Sequence, residues 1–214
     1  MKKLLILGCG GHAKVVADAA EISKEYQNVS FLDQKNKTSK ELNTSFHQKI
    51  IGDLSESNIE HFSSDFSHAF VGIGDNLTRV RWLNKLHHLG FKIPNIIHPN
   101  AQISKYVEIG FGTFINANAV IQCNVKINSG CIVNTSSSID HDSTIDMGSH
   151  ISPGVNIAGN VNIGKNVWIG IGSTIIQNID IGDNVIVGAG SLVLKSIPKN
   201  VKAYGNPSKI IREI

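Results

Sequence analysis

Charge is scarce in this chain. Asp, Glu, Lys and Arg make up only 17% of its 214 residues, and the net charge is +3 with His neutral. No basic run of five residues occurs, so nothing in the composition calls for a nucleic-acid or anionic-membrane partner. Aromatics are 6% and prolines number five, against 20 glycines, which suits a regular β-solenoid and excludes a collagenous or Pro-rich disordered chain. The three cysteines (Cys9, Cys123, Cys131) are odd in number and share no metal-ligand spacing. Reduced thiols in a cytoplasmic protein are the expectation. No stretch approaches the ~20 apolar residues of a membrane span. The start, Met1-Lys2-Lys3, imitates a secretion signal, but its apolar run ends at Gly8 after four residues. An h-region needs about 7–15.

What the chain does have is a period. Divided into blocks of six from Ile97 to Pro198, the sequence gives 17 blocks, and every block begins with Ile or Val. The fifth place is always small, β-branched or both, and no residue is inserted or deleted along the run. A period of six is neither that of a helix nor that of a lone strand. It predicts a solenoid with three flat walls per coil, one block per wall, and the first residue of each block turned inward. Gly or Asn recurs at the second and fourth places, where tight turns or positive φ are cheap. The tail from Val201 to Ile214 breaks this phase and is expected to cover an open solenoid end.

The part before the repeat is different. Lys2–Leu7 has the pattern of a buried strand. Gly8-Cys9-Gly10-Gly11-His12 follows, and then a helical stretch with Ala13, Val16, Ala17 and Ala20 on one side. Strand, glycine turn and helix start together suit a pyrophosphate, or else form a tight turn without a ligand. Asp33 ends a second strand. Its distance from the glycine turn is near the spacing at which an acid can meet a ribose or base edge, unless it simply closes a turn. The polar stretch 34–49 reads as a loop. A buried strand at 67–74 leads to a helix that Asp75 or Asn76 can cap. The expected organisation is a Rossmann-like α/β domain at 1–95, a β-helix at 96–200 and a capping tail at 201–214.

On the solenoid, Asp140-His141-Asp142 and His150 stand out as ionisable groups close together. A histidine beside a carboxylate is a candidate general base, while a solvent-facing histidine on a β-helix is otherwise inert. His141 and His150 are half a coil apart, so they belong to different sides of one chain. A metal held by His98, His141, Asp142 and His150 would match no recognised ligand spacing, and none is expected.

Several segments together (LILGCGGHAKVV, IGDNLTR, NIIHPNA, IDHD, AGNVNIGKNVWIGIGS and YGNPSKIIR) resemble the bacterial hexapeptide-repeat sugar O- and N-acyltransferases. That group includes sialic acid O-acetyltransferases and N-acetyltransferases of nucleotide-linked 4-amino-sugars. The resemblance implies a homotrimer of left-handed β-helices with acetyl-CoA bound between neighbours. It makes His141 the general base and Asp142 its acidic partner. It puts His150, Gly159, Ile171 and Ala189 against acetyl-CoA, with the Gly159 amide as oxyanion donor. The nucleotide-sugar would lie against Gly10, Gly11 and His12, with Asp33, Gln34 and Lys35 near the base. N-acetylation of a nucleotide-linked (UDP) 4-amino-sugar is the first reading. O-acetylation of a sialic or other nonulosonic acid is the second, and a non-catalytic scaffold is the third.

Overall fold

The computed structural model describes residues 2–34 and 49–214. Lys35 and most of the polar stretch that contains it lie outside the described residues. The chain divides into two compact units, Met1–Ile96 and Ile97–Ile214.

The first unit is a parallel four-stranded sheet in the order β3-β2-β1-β4. Its strands are β1 (Lys2–Leu7), β2 (Tyr26–Asp33), β3 (Ile50–Asp53) and β4 (His68–Val71). Helices α1 (Gly11–Ile22), α2 (Glu56–Phe62) and α3 (Asn76–His88) connect them. Strand alternation sends Leu5 and Leu7 into a core with Ile59, Leu83 and Leu86 of α2 and α3. On the opposite face α1 comes very close to β4. A Cβ added at Gly72 would stand 2.7 Å from the Ala13 Cβ and 2.8 Å from the Ile6 Cγ2. Asp75 caps α3 by accepting a hydrogen bond from the Thr78 amide at 2.9 Å. The order 3-2-1-4 puts a switch point at the carboxyl ends of β1 and β4, the usual place for a ligand in an open α/β sheet.

The second unit is a left-handed parallel β-helix built from two-residue strands, the first Ile96–Ile97 and the last Leu192–Val193. Strands one coil apart pair in register, as in Ile132 with His150 and His150 with Trp168. Three walls result: one of eight strands that includes the C-terminal hairpin, one of six and one of five. We call these walls one, two and three; the chain visits them in that order. The inward Ile/Val column and the small fifth-place residues form one continuous core, with Ile139, Ile145, Ile151 and Val155 fully buried.

The two recurrent glycine places do different jobs. The fourth place has positive φ in every block from Gly112 to Gly190, and Gly, Asn, Ser136 and Asp142 occupy it. The second-place glycines instead permit close approach: a Cβ at Gly170 would lie 2.5 Å from the Ala189 amide nitrogen of the next coil. The tail forms a hairpin of Val201–Gly205 and Ser208–Glu213. Its first strand extends wall one by pairing Lys202 with Ile186 and Ala203 with Val187. Val201 and Ala203 join the solenoid core.

Candidate active site

The edge between walls two and three carries the histidine–carboxylate pair. His141 occupies the third place of its block and Asp142 the fourth, where the turn imposes φ 58°. Asp tolerates this left-handed conformation better than most side chains do. The turn brings the two side chains together, and His141 Nδ1 lies 2.8 Å from Asp142 Oδ2. In the neutral imidazole, therefore, a carboxylate at this distance puts the proton on Nδ1 and leaves Nε2 its lone pair. The hydrogen bond to Asp142 holds the His141 pKa above its ordinary 6.5, and the charges of Asp140 and Asp142 act in the same direction. Asp142 is held below its usual value by the hydrogen bond from His141 and then by one from Asn124. The other oxygen of Asp142, Oδ1, accepts the Asn124 Nδ2 hydrogen at 3.1 Å.

The His141 ring leans over the next coil. A Cβ built at Gly159 would be 2.6 Å from His141 Cε1 and 2.7 Å from Nε2. Gly159 is thus buried beneath the imidazole. Elsewhere on this edge the same place carries Cys123, Gln177 and Lys195. Among the described residues the Gly159 amide donates to no protein acceptor. Cys123 shares the edge, one coil before His141, and its carbonyl accepts the Asp142 amide at 3.2 Å. Its thiol is exposed, whereas Cys131 is buried.

His150 is on wall one. It stacks on Trp168 with ring centroids 5.6 Å apart and planes 16° from parallel. Asn134 Nδ2 donates to its Nε2 at 3.2 Å, and Trp168 Nε1 donates to Ser152 Oγ at 3.0 Å. Ile171 and Ala189 lie one above the other on the edge between walls one and two, and both are exposed. Within a single chain, then, His141 and Gly159 meet, whereas His150, Ile171 and Ala189 belong to another wall and another edge. Among the described residues no group of three or more His, Cys, Asp or Glu is arranged to hold a metal ion.

The first unit has its own cleft, about 550 Å³, at the carboxyl ends of β1, β2 and β4. Gly8 to His12 form one side, Asp33, Gln34 and Leu54 another, and Gly72 to Gly74 the floor. Gly10 and Gly11 have open space where a Cβ would stand, so a ligand can reach the backbone there. The N-terminal turn of α1 opens on this side, where a helix start favours an anion. Burial first, and then the charge of Arg79, push His12 down to about 4, so its imidazole is neutral at pH 7. Arg79 is itself 1% exposed and donates to the carbonyls of Ile73 (3.1 Å) and Gly74 (2.8 Å).

Asp33 is only 6% exposed. Its Oδ2 accepts from the Cys9 thiol and its Oδ1 from the Gln34 amide at 2.8 Å. It lines the cleft with both oxygens already engaged. Thr78, Arg81 and Trp82 of α3 also line it. Sequence reasoning passed over these three because they lie far along the chain from the glycine turn. Trp168 and Asn134 escaped notice for a similar reason, although stepping one coil forward from His150, or just under one coil back, would have found them.

Comparison with known proteins agrees with this architecture. The PglD N-terminal domain model matches residues 3–86, and the bacterial transferase hexapeptide (six repeats) model matches residues 160–195. A search of curated proteins finds no match. Among solved structures, the acetyltransferase domain of PglB from Neisseria gonorrhoeae is 34% identical, with 99% of this chain and 100% of that one covered and a TM-score of 0.90. The same domain has been solved in complex with acetyl coenzyme A. PerB from Caulobacter crescentus, in complex with CoA and GDP-perosamine, is 31% identical over 99% of this chain and 98% of that one, with a TM-score of 0.91. WeeI from Acinetobacter baumannii, at 24% identity over 99% of this chain and 100% of that one, shares the fold with a TM-score of 0.87. With identity above 30% over nearly the full length of two such relatives, this chain belongs to the hexapeptide-repeat sugar acyltransferase family and is an acyltransferase.

Proposed function

We propose that this protein transfers the acetyl group of acetyl-CoA to the 4-amino group of a nucleotide-linked amino-dideoxy-sugar, with UDP as the nucleotide. The observation that carries the chemistry is the His141–Asp142 pair, with Nδ1 engaged at 2.8 Å and Nε2 left as an acceptor. The substrate class is supported by the Caulobacter relative, whose complex holds CoA and GDP-perosamine. A GDP-linked sugar is therefore the competing nucleotide.

In this reading the sugar amine attacks the thioester carbonyl carbon while His141 Nε2 takes its proton. The tetrahedral intermediate then collapses, the C–S bond breaks, and the imidazolium returns the proton to the departing thiolate. The Gly159 N–H is offered to the carbonyl oxygen as negative charge develops there. Asp142 keeps the imidazole in the productive tautomer and favours the imidazolium formed on the way. Transfer is direct. His141 leans toward Gly159 and away from the coil of Cys123, and Cys131 is buried in the core, so no acyl-cysteine is required.

The cleft of the first unit takes the nucleotide, with Gly10, Gly11 and His12 at the pyrophosphate and Asp33, Gln34 and Lys35 toward the base. His150, Ile171 and Ala189 line the acetyl-CoA arm. They lie away from the edge that carries His141, so a groove using all of them draws on neighbouring subunits. This reading calls for a homotrimer. The test is thermal stabilisation by nucleotides alone. UDP should raise the melting temperature and GDP should not. Stabilisation by GDP but not UDP would overturn the nucleotide, and stabilisation by neither would overturn the role of the cleft.

A further inference from the structure

The His141–Asp142 pair has a third member. Asn124 lies one full coil before Asp142, at the same fourth place of its block, and shares its left-handed backbone with φ 59°. Its amide donates to Asp142 Oδ1 at 3.1 Å, while Oδ2 faces His141 Nδ1 at 2.8 Å. Both carboxylate oxygens are thus engaged, one from the preceding coil and one from the adjacent imidazole. Both Asp142 and His141 side chains are 54% exposed, so packing does not fix the carboxylate. What fixes it is the pair of hydrogen bonds. Further along the same column Asn160 donates to Asn178 at 2.7 Å, a neutral ladder of the same design. At Asp142 the ladder is adapted to hold a charge.

We propose that Asn124 is a positioning residue for acyl transfer: it anchors the Asp142 carboxylate so that its other oxygen stays on His141 Nδ1. This rests on His141 being the general base. The charged groups acting on His141 are Asp140 and Asp142 from its own coil, and Cys123 lies at the same place of the coil before. The coil after, from Ala158 to Asn162, presents no titratable group.

Asn124→Gly tests it, because glycine occupies this place without strain in other blocks, as at Gly130 and Gly148. The variant should fold normally. Its kcat should fall by about tenfold, short of the ~10²–10⁴ for loss of the base itself, with KM for both substrates unchanged. The acid limb of its kcat/KM profile should move down, because Asp142 no longer holds the imidazolium. Asn124→Asp should move that limb up, since a second carboxylate then faces the pair. A purely structural role would not shift the limb in opposite directions in the two variants. In an Asp142→Gly background, Asn124→Gly should have no further effect. The proposal is overturned if Asn124→Gly keeps the parental kcat and profile, or if its loss adds in full to that of Asp142→Gly, while His141→Ala is inactive. If His141→Ala stays active as well, the base assignment is what fails.

Discussion

The two units solve the problem of presenting functional groups in opposite ways. In the α/β unit, residues far apart in sequence converge: Gly8 to His12, Asp33 and Trp82 all line one cleft. Its walls are loops and helix ends, and the bare backbone of Gly72 lets β4 approach α1 closely. In the solenoid, the groups around His141 are either its own turn neighbours or are found by adding or subtracting a coil. Gly159 is one coil on, and Asn124 is one coil before Asp142. The cleft has the volume and open backbone suited to gripping a ligand. The solenoid edge has little enclosure but a rigid, hydrogen-bonded base. On the proposed function the difference is a division of labour, with recognition assigned to the first unit and proton transfer to the second.

That division can be broken by mutation. The largest effect should come from His141→Ala, which removes the base and should lower kcat by roughly 10²–10⁴. Nucleotide affinity, measured by calorimetry, should be unaltered, because the cleft proposed to bind it is in the other unit. A parallel loss of nucleotide binding would mean that the two tasks are not separate.

Next in size is Gly72→Ala. The added methyl overlaps Ala13 and Ile6, and overpacking of this kind typically costs about 1–3 kcal/mol. Calorimetric melting should show the first unit unfolding earlier, with the solenoid transition unchanged.

Gly159→Ala is the solenoid counterpart. Side chains fill this place on neighbouring coils, so stability should hardly change, but the methyl would strike the His141 ring. A fall in kcat of about tenfold is expected from the displaced base. Equal stability with undiminished turnover would show that the imidazole is not confined.

A smaller change concerns pH. With His141 as the proposed base, the neutral imidazole is the active form, so kcat/KM should rise with pH through a midpoint above 6.5, set by the raised pKa of His141. In Asp142→Gly, which preserves the turn, that midpoint should fall toward 6.5. The smallest effect belongs to Cys123→Ser, which should leave turnover near the parental rate. A large loss would point to an acyl-cysteine instead of direct transfer.

The same contrast explains what could be read in advance. The Ile/Val column from Ile97 onward made the β-helix legible, because packing repeats the same demand in every block. His141 and Asp142 were legible as an acid–base pair because both lie in one turn. Of their neighbours, Gly159 was named only through the family resemblance, and Asn124, which looks like any other turn asparagine, is found only by counting coils. The α/β unit offered less. The strand before and the helix after Gly8 to Gly11 could be recognised, and Asp75 was recognisable as a cap. However, nothing local to Thr78, Arg81 or Trp82 says that α3 will carry them to the glycine turn. That information is in the strand order, which follows from long-range pairing. Asp33 was read as meeting a ribose or base edge, or else as closing a turn. Its engagement with Cys9 and the Gln34 amide depends on burial that the sequence spacing does not express.

The central claim is that an amine on a nucleotide-linked sugar is acetylated at the expense of acetyl-CoA. It is tested most directly by incubating the protein with acetyl-CoA and, separately, a panel of UDP- and GDP-linked 4-amino-sugars and a nonulosonic acid. Free thiol is followed, and the product mass and site of acetylation are determined. The account predicts thiol release matched one to one by an N-acetylated UDP-sugar. Absence of turnover with every amino-sugar, or acetylation of a hydroxyl on a nonulosonic acid in its place, would contradict it.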